Sequence, residues 1–252
     1  MLETIELFGV RVHRLTMDDA VAAVEGFLQE GKARQVVTAD TSMLVMAQRD
    51  PELREIINTA ALVTPDSFGV LWAARHLGLP LQERVTGVDL MERICARCAE
   101  SGHKVFLFGA APGVADEAAE RLKERFPGLQ VAGTRHGFYK PDEEEGIAAE
   151  IAASGADALF VALGIPRQEK WIARSLDRTG VSVAIGVGGS FDVFSGRVKR
   201  APRWVQRCNL EWLYRLCKNP RKIGKVKTLP VLVMMTLGTL ARGDGKRARR
   251  DR

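Results

Sequence analysis

The chain has 252 residues and a formal net charge of +6, with 46% hydrophobic and 27% charged residues. That composition suits one large α/β domain, or a domain with an appendage, and excludes a disordered or fibrous chain. Four cysteines are too few for a disulfide framework in a chain of this size. The basic charge is unevenly placed: residues 197–252 hold 17 Lys+Arg against 3 acids, whereas residues 1–196 hold 20 against 28. A mildly acidic body with a strongly basic end predicts contact with something anionic: nucleic acid, a membrane face or a phosphorylated substrate.

In chain order, residues 5–12 alternate like a strand and lack the cationic start and long apolar run of a signal peptide. Thr16-Met-Asp-Asp19 has the spacing of a capping box that opens a helix to about Glu30. Short β-like runs follow at 35–38, 61–64, 104–109, 129–132, 158–163 and 181–187, with helical patterns between them, such as 114–126 and 143–154. Strands spaced by helices predict a mostly parallel sheet with helices on both faces. Cys95 and Cys98 fall inside a helical pattern and read as buried core thiols. Residues 201–217 read as an amphipathic helix, 219–227 as a basic run and 228–240 as an uncharged run. Thirteen residues are too few to span a bilayer, which takes about 20. A basic run beside a short apolar one is the pattern of an interfacial helix on an anionic membrane. Residues 243–252 read as disordered.

In parallel sheets, ligands collect at the carboxyl ends of the strands. Two of those ends carry hydroxyl and carboxylate groups: Thr38-Ala-Asp40-Thr41 and Thr64-Pro-Asp66-Ser67. A carboxylate there suits a general base on a bound hydroxyl, although Asp66 also has the position of a helix N-cap. Three further ends are glycine-rich: Gly109-Ala-Ala-Pro-Gly113, Gly164-Ile-Pro166 leading into Arg167, Gln168 and Lys170, and Gly188-Gly189-Ser190-Phe191-Asp192. Such loops before helix N-termini suit a nucleotide diphosphate. Asp40, Gly109, Gly164, Gly188, Gly189 and Asp192 are therefore the expected donor-binding set. No Asp-x-Asp clamp is present, and His13, His76, His103 and His136 have no metal-ligand spacing, so neither metal nor cofactor is expected.

The motifs Thr64-Pro-Asp66 with Phe68-Gly69-Val70, Glu83-Arg84-Val85-Thr86-Gly87-Val88-Asp89-Leu90 and Phe106-Leu-Phe-Gly-Ala110 together resemble those of the WecG/TagA/CpsF glycosyltransferases. So do Gly164-Ile-Pro-Arg-Gln-Glu-Lys-Trp171, Gly186-Val-Gly-Gly-Ser-Phe-Asp192, Gly196, Arg200-Ala-Pro202 and Leu210-Glu-Trp212. The resemblance implies transfer of an N-acetylmannosamine-type sugar from a UDP-sugar donor to an undecaprenyl-diphosphate-linked N-acetylglucosamine. It further implies an inverting, metal-independent reaction at the inner face of the cell membrane, in assembly of a wall teichoic acid-like polymer. By position Asp66 matches the base, Thr38, Arg84 and Gln168 match polar site residues, and Arg215 matches a basic residue of a C-terminal appendage. The family commonly has Gly where this chain has Ser67, and Asn where it has Asp40.

The expectation is a Rossmann-like α/β catalytic domain over 1–196 and a basic helical appendage over 197–252. Arg215, Arg221, Lys222 and Lys225 would meet the lipid diphosphate or headgroups. The protein would be cytoplasmic and peripheral at the membrane, with no nucleic-acid partner and with a homo-oligomer left open. The rival readings are a nucleotide-dependent oxidoreductase or epimerase, which lacks a dinucleotide fingerprint here, and a nucleic-acid binder using the basic tail.

Overall fold

The structure is a computed structural model that describes residues 2–202, 205 and 228–242. Arg215, Arg221, Lys222 and Lys225, the terminal run from 243 and, apart from residues 201, 202 and 205, the amphipathic helix expected over 201–217 lie outside the described residues.

The first strand-like stretch folds as a hairpin, β1 (Thr4–Leu7) and β2 (Val10–His13), rather than as one strand. Phe8 and Gly9 both have positive φ, 55° and 78°. That backbone makes a tight two-residue turn whose twist matches the strands. A phenylalanine at the first turn position carries no sequence signal for such a turn, which is why the alternation reads straight through it.

Next come α1 (Met17–Glu30), β3 (Arg34–Ala39), α2 (Thr41–Met46), α3 (Pro51–Thr59), β4 (Leu62–Pro65), α4 (Phe68–His76) and α5 (Gly87–Ser101). Thr16 caps α1 in the expected reciprocal box with Asp19, and Gly31 closes it in the left-handed conformation. The chain continues through β5 (Lys104–Gly109), α6 (Val114–Arg125), β6 (Gln130–Arg135), α7 (Glu144–Ser154), β7 (Ala158–Ala162), α8 (Arg167–Thr179), β8 (Val183–Gly186) and α9 (Ser190–Phe194). The uncharged run near the end forms α10 (Thr228–Ala241).

Strands β3 to β8 form one parallel six-stranded sheet in the order β4-β3-β8-β7-β5-β6. The four inner strands are nearly all apolar because both of their faces are covered, as a parallel sheet requires. On one face Val36, Val105, Leu107, Phe160 and Ile185 meet α1, α5, α6 and α9. On the other, Val37 and Val63 meet the hairpin, α2, α3, α4 and Leu232 of α10, while Phe106, Phe108, Leu159 and Val161 meet α7 and α8. Cys95 and Cys98 lie fully buried inside α5. Burial pushes both thiols up, Cys98 to about 12, so both are protonated core groups.

This layering positions the site. The helices directly after β3, β4 and β7 (α2, α4 and α8) lie on one face, and those directly after β5 and β8 (α6 and α9) lie on the other. Adjacent strand ends therefore part at β3/β8, β8/β7 and β7/β5, and an open crevice runs along the carboxyl edge of the sheet.

Candidate active site

At the β3 and β4 end, the site is built from side chains that tie the two strands together. Asp40 is the N-cap of α2, its Oδ1 accepting from the Met43 N–H at 2.9 Å. Ser67, not Asp66, is the N-cap of α4. Its Oγ accepts from the Val70 N–H at 3.4 Å and the Thr41 N–H at 3.0 Å, and lies 2.9 Å from the Thr41 Oγ1. Ser67 thus links the starts of both helices. Capping falls to it, so the helix-cap reading of Asp66 does not hold.

Asp66 is half-buried, directly between the end of β4 and that cap. Its backbone N–H donates to the Ala39 carbonyl at 2.9 Å, which holds the two strand ends level. Arg84 is brought to the same place by its neighbour. The Val85 N–H donates to the Pro65 carbonyl at 2.9 Å, and the Val85 carbonyl accepts from the Thr64 Oγ1 at 3.2 Å. A residue some twenty positions along the chain is thereby fixed beside the end of β4.

Thr38 is buried beneath this edge, its Oγ1 donating to the Gly186 carbonyl of β8 at 2.8 Å. A Cβ at Gly87 would come within 3.3 Å of that oxygen, so glycine lets the start of α5 lie over the strand ends. Thr38 therefore sets the spacing of β3, β8 and α5 at the floor of the crevice.

The β7 and β8 end works differently. Gln168 is 1% exposed, and its Oε1 accepts from the Gly164 N–H at 3.2 Å and the Gly188 N–H at 3.1 Å. Its Nε2 donates to Glu169 Oε1 at 2.7 Å. One amide thus joins the loop after β7 to the loop after β8. Gly186 makes room for it, since a Cβ there would lie 2.6 Å from Nε2. Gly164 and Gly188 have φ of 79° and 53° with open space where a side chain would stand, leaving backbone accessible to a ligand. Gly189 is exposed, and the Asp192 carboxylate lies 3.7 Å from where its Cβ would be. Gly109 is a different case: it is buried, and a Cβ would sit 2.5 Å from the Ala162 backbone. Its missing side chain answers to the close approach of β7, not to a ligand.

Lys170 also departs from expectation. It reaches back to α3 and pairs with Asp50 at 2.8 Å and Glu52 at 2.6 Å. Arg167 remains at the edge, its guanidinium 4.6 Å from the Tyr139 ring centroid. Together with Gly137, Phe138, Lys140 and Glu143 they line an open pocket of about 430 Å3 beyond β7.

Two groups in the frame gave no separable signal in the sequence. Asp89, in the first turn of α5, takes both Arg200 nitrogens at 2.5 and 2.7 Å and the Thr86 hydroxyl at 2.6 Å. Burial pushes its carboxyl up, but Arg200, Thr86 and the nearby Arg84 charge outweigh that and hold it below the usual carboxylate range. This bidentate pair fastens the chain where it leaves the body. Tyr139 is the other, and nothing in its local pattern marks it. Among the described residues no group of three or more His, Cys, Asp or Glu is placed to hold a metal ion, and no helix is long and apolar enough to cross a membrane.

Comparison with known proteins adds a family to this geometry. Residues 5–245 match the model of the Glycosyl transferase WecG/TagA/CpsF family. The chain is 39% identical over 211 residues to the N-acetylglucosaminyldiphosphoundecaprenol N-acetyl-beta-D-mannosaminyltransferase of Bacillus spizizenii, covering 84% of this chain and 81% of that protein. It is 33% identical over 232 residues to the protein of the same name from Staphylococcus aureus strain MW2, covering 91% and 90%.

Proposed function

Because the chain belongs to the WecG/TagA/CpsF family of glycosyl transferases, we propose that it moves N-acetylmannosamine, or a closely related sugar, from a UDP donor to N-acetylglucosamine on diphosphoundecaprenol. The names of its relatives carry the transferred sugar and the acceptor. The carboxyl edge of the sheet supports the rest.

The single most telling observation is the division of that edge. A carboxylate that is not a helix cap, Asp66, lies at the β4 end, and ligand-accessible glycine backbone lies at the β7 and β8 end. Two strand spacings to β8 and three to β7, about 10 and 14 Å at 4.7–4.9 Å each, separate the two. The UDP moiety occupies the glycine end, and the anomeric carbon of the donor sugar points toward Asp66. One Asp66 oxygen takes the proton of the acceptor hydroxyl as that oxygen attacks the anomeric carbon. The new C–O bond forms on one face while the bond to the diphosphate breaks on the other, its electron pair leaving with UDP. Inversion at the anomeric carbon follows. The departing charge meets the start of α8 and cationic side chains, with no metal required. Arg84, held beside the β4 end, orients acceptor and base. Arg215, Arg221, Lys222 and Lys225 would engage the acceptor diphosphate. The basic end and uncharged α10 support a site for this chemistry at the cytoplasmic membrane face.

The test is a panel of UDP-sugars with a polyprenyl-diphosphate-linked N-acetylglucosamine acceptor, assayed with and without excess EDTA. The expected product carries N-acetylmannosamine with inverted anomeric configuration, at a rate EDTA does not change. Retained configuration, or activity lost to EDTA and restored by Mg2+ or Mn2+, refutes the scheme.

A further inference from the structure

Four of the exposed large apolar side chains among the described residues lie on one adjoining pair of helices. Phe68 in α4 is 42% exposed, and Met234, Leu237 and Leu240 in α10 are 65%, 56% and 40% exposed. The helices meet at Gly69, where a Cβ would lie 3.3 Å from Leu232 and 3.5 Å from Leu229. Inward, α10 buries Leu232 and Thr236, one turn apart. Outward it presents Pro230, Met234, Leu237 and Ala241, and its 14 residues contain no charge. A helix apolar on both faces needs cover on the outer one.

Helix α4 extends the same surface in an ordered way. Phe68 opens it, Trp72 follows one turn on, and exposed Arg75 and His76 close it, with the His76 ring 4.3 Å from that of Trp72. Aromatic groups that end at a cation, here Arg75, are what a bilayer interface accommodates. Charge identifies the cover. Residues 218–227, just before α10, hold five Lys+Arg and no acid, and residues 242–252, just after it, hold six against two. Two copies meeting through this face would bring like charges together, whereas an anionic bilayer takes both the apolar stripe and its basic flanks. At 1.5 Å per residue α10 is about 21 Å long, shorter than the ~30 Å hydrocarbon core, so it lies along the interface.

We propose that α4 and α10 form one membrane-lying face, so that the catalytic body itself docks on an anionic bilayer through α4. This rests on the acceptor being lipid-linked. Helix α4 begins two residues after Asp66, so docking holds the base at the headgroup level, where a lipid diphosphate projects from the membrane. The basic end alone does not set that orientation; the body helix does.

The full chain is sedimented with phosphatidylcholine vesicles with and without phosphatidylglycerol, in the absence of substrate. Wild type should bind the phosphatidylglycerol vesicles preferentially. The double variant Phe68→Ser/Arg75→Glu, with everything from residue 203 onward intact, should bind about tenfold more weakly. Arg75→Glu alone, an exposed change whose cost at the last turn of α4 is at most about 1 kcal/mol, should lose several-fold while keeping turnover on a short-chain, water-soluble acceptor. Met234→Asp/Leu237→Asp should match the double variant. Native-like vesicle binding by both α4 variants overturns the proposal and leaves the basic end as the anchor. So does a lower solution mass for the α4 variants with unchanged vesicle binding, which makes the face a contact between copies. Vesicle binding that depends on α4 in a protein without transferase activity sustains this inference while refuting the proposed reaction.

Discussion

The two ends of the crevice are built on opposite plans. At β3 and β4, side chains perform the local structural tasks: Asp40 and Ser67 cap helices, and Ser67 bridges to Thr41. At β7 and β8, backbone is left bare, and a single buried amide, Gln168, fastens one loop to the other. The first plan lets a carboxylate stand among satisfied neighbours, where its protonation can change without unravelling a helix. The second ties the Gly164 and Gly188 N–H groups to Gln168 and leaves open space above those glycines where side chains would stand. One end suits proton transfer and the other suits anion binding.

The comparison is broken most severely by removing the carboxylate. Asp66→Asn should lower turnover by roughly 10²–10⁴ and leave the melting temperature nearly unchanged, because Ser67 supplies the cap. Steady-state kinetics beside thermal melts check this, and a loss of stability in step with activity would return Asp66 to a structural role.

Gln168→Ala attacks the other end. It strips the acceptor from two loop N–H groups, at a cost of about 1–3 kcal/mol if they stay unsatisfied. UDP affinity, read by calorimetry, should fall while acceptor binding holds, and an equal fall in both would show that the two ends are not separable.

Substitution of Ser67 is a smaller perturbation. Ser67→Ala should cost about 1 kcal/mol through the lost cap, and Ser67→Gly only a few tenths, so melting temperatures should rank wild type, Gly, Ala. The ranking sharpens the contrast, because Gly stands at this position in the resembled family and would leave the Thr41 link unmade.

The mildest effect is one of pH. His13 Nδ1 accepts the Val63 N–H of edge strand β4 at 3.0 Å, which requires a neutral ring. Burial, and then the Arg11 charge, lower its pKa below 6.5. A lowered histidine contributes stability that is complete above the unfolded value and is lost as pH falls from about 6.5 through the folded value. Thermal melts from pH 7.5 downward should therefore show a slope below pH 6.5 that His13→Gln reduces, and an identical slope in the variant would remove His13 from the account.

Much of this was legible in the residues. Each inner strand is a short apolar run, α1 carries its own capping box, and the polar strand ends stand out because they interrupt those runs. The signal is local, since hydrogen-bond periodicity and capping are settled within a few neighbours. The hairpin at Phe8-Gly9 escaped because a left-handed phenylalanine leaves no compositional mark.

The sequence by itself determined an α/β chain, its polar and glycine-rich strand ends, its charge asymmetry and, through spaced motifs, its family resemblance. Only the tertiary structure decided that Ser67 rather than Asp66 caps α4, that Gln168 joins two loops, that Gly109 serves β7, and that Asp89 meets Arg200. It also decided that α10 closes on α4 at Gly69. These are pairings between groups up to more than a hundred residues apart, or choices between adjacent candidates for one bond. Strand order and helix packing settle which groups meet, and no local pattern contains that information.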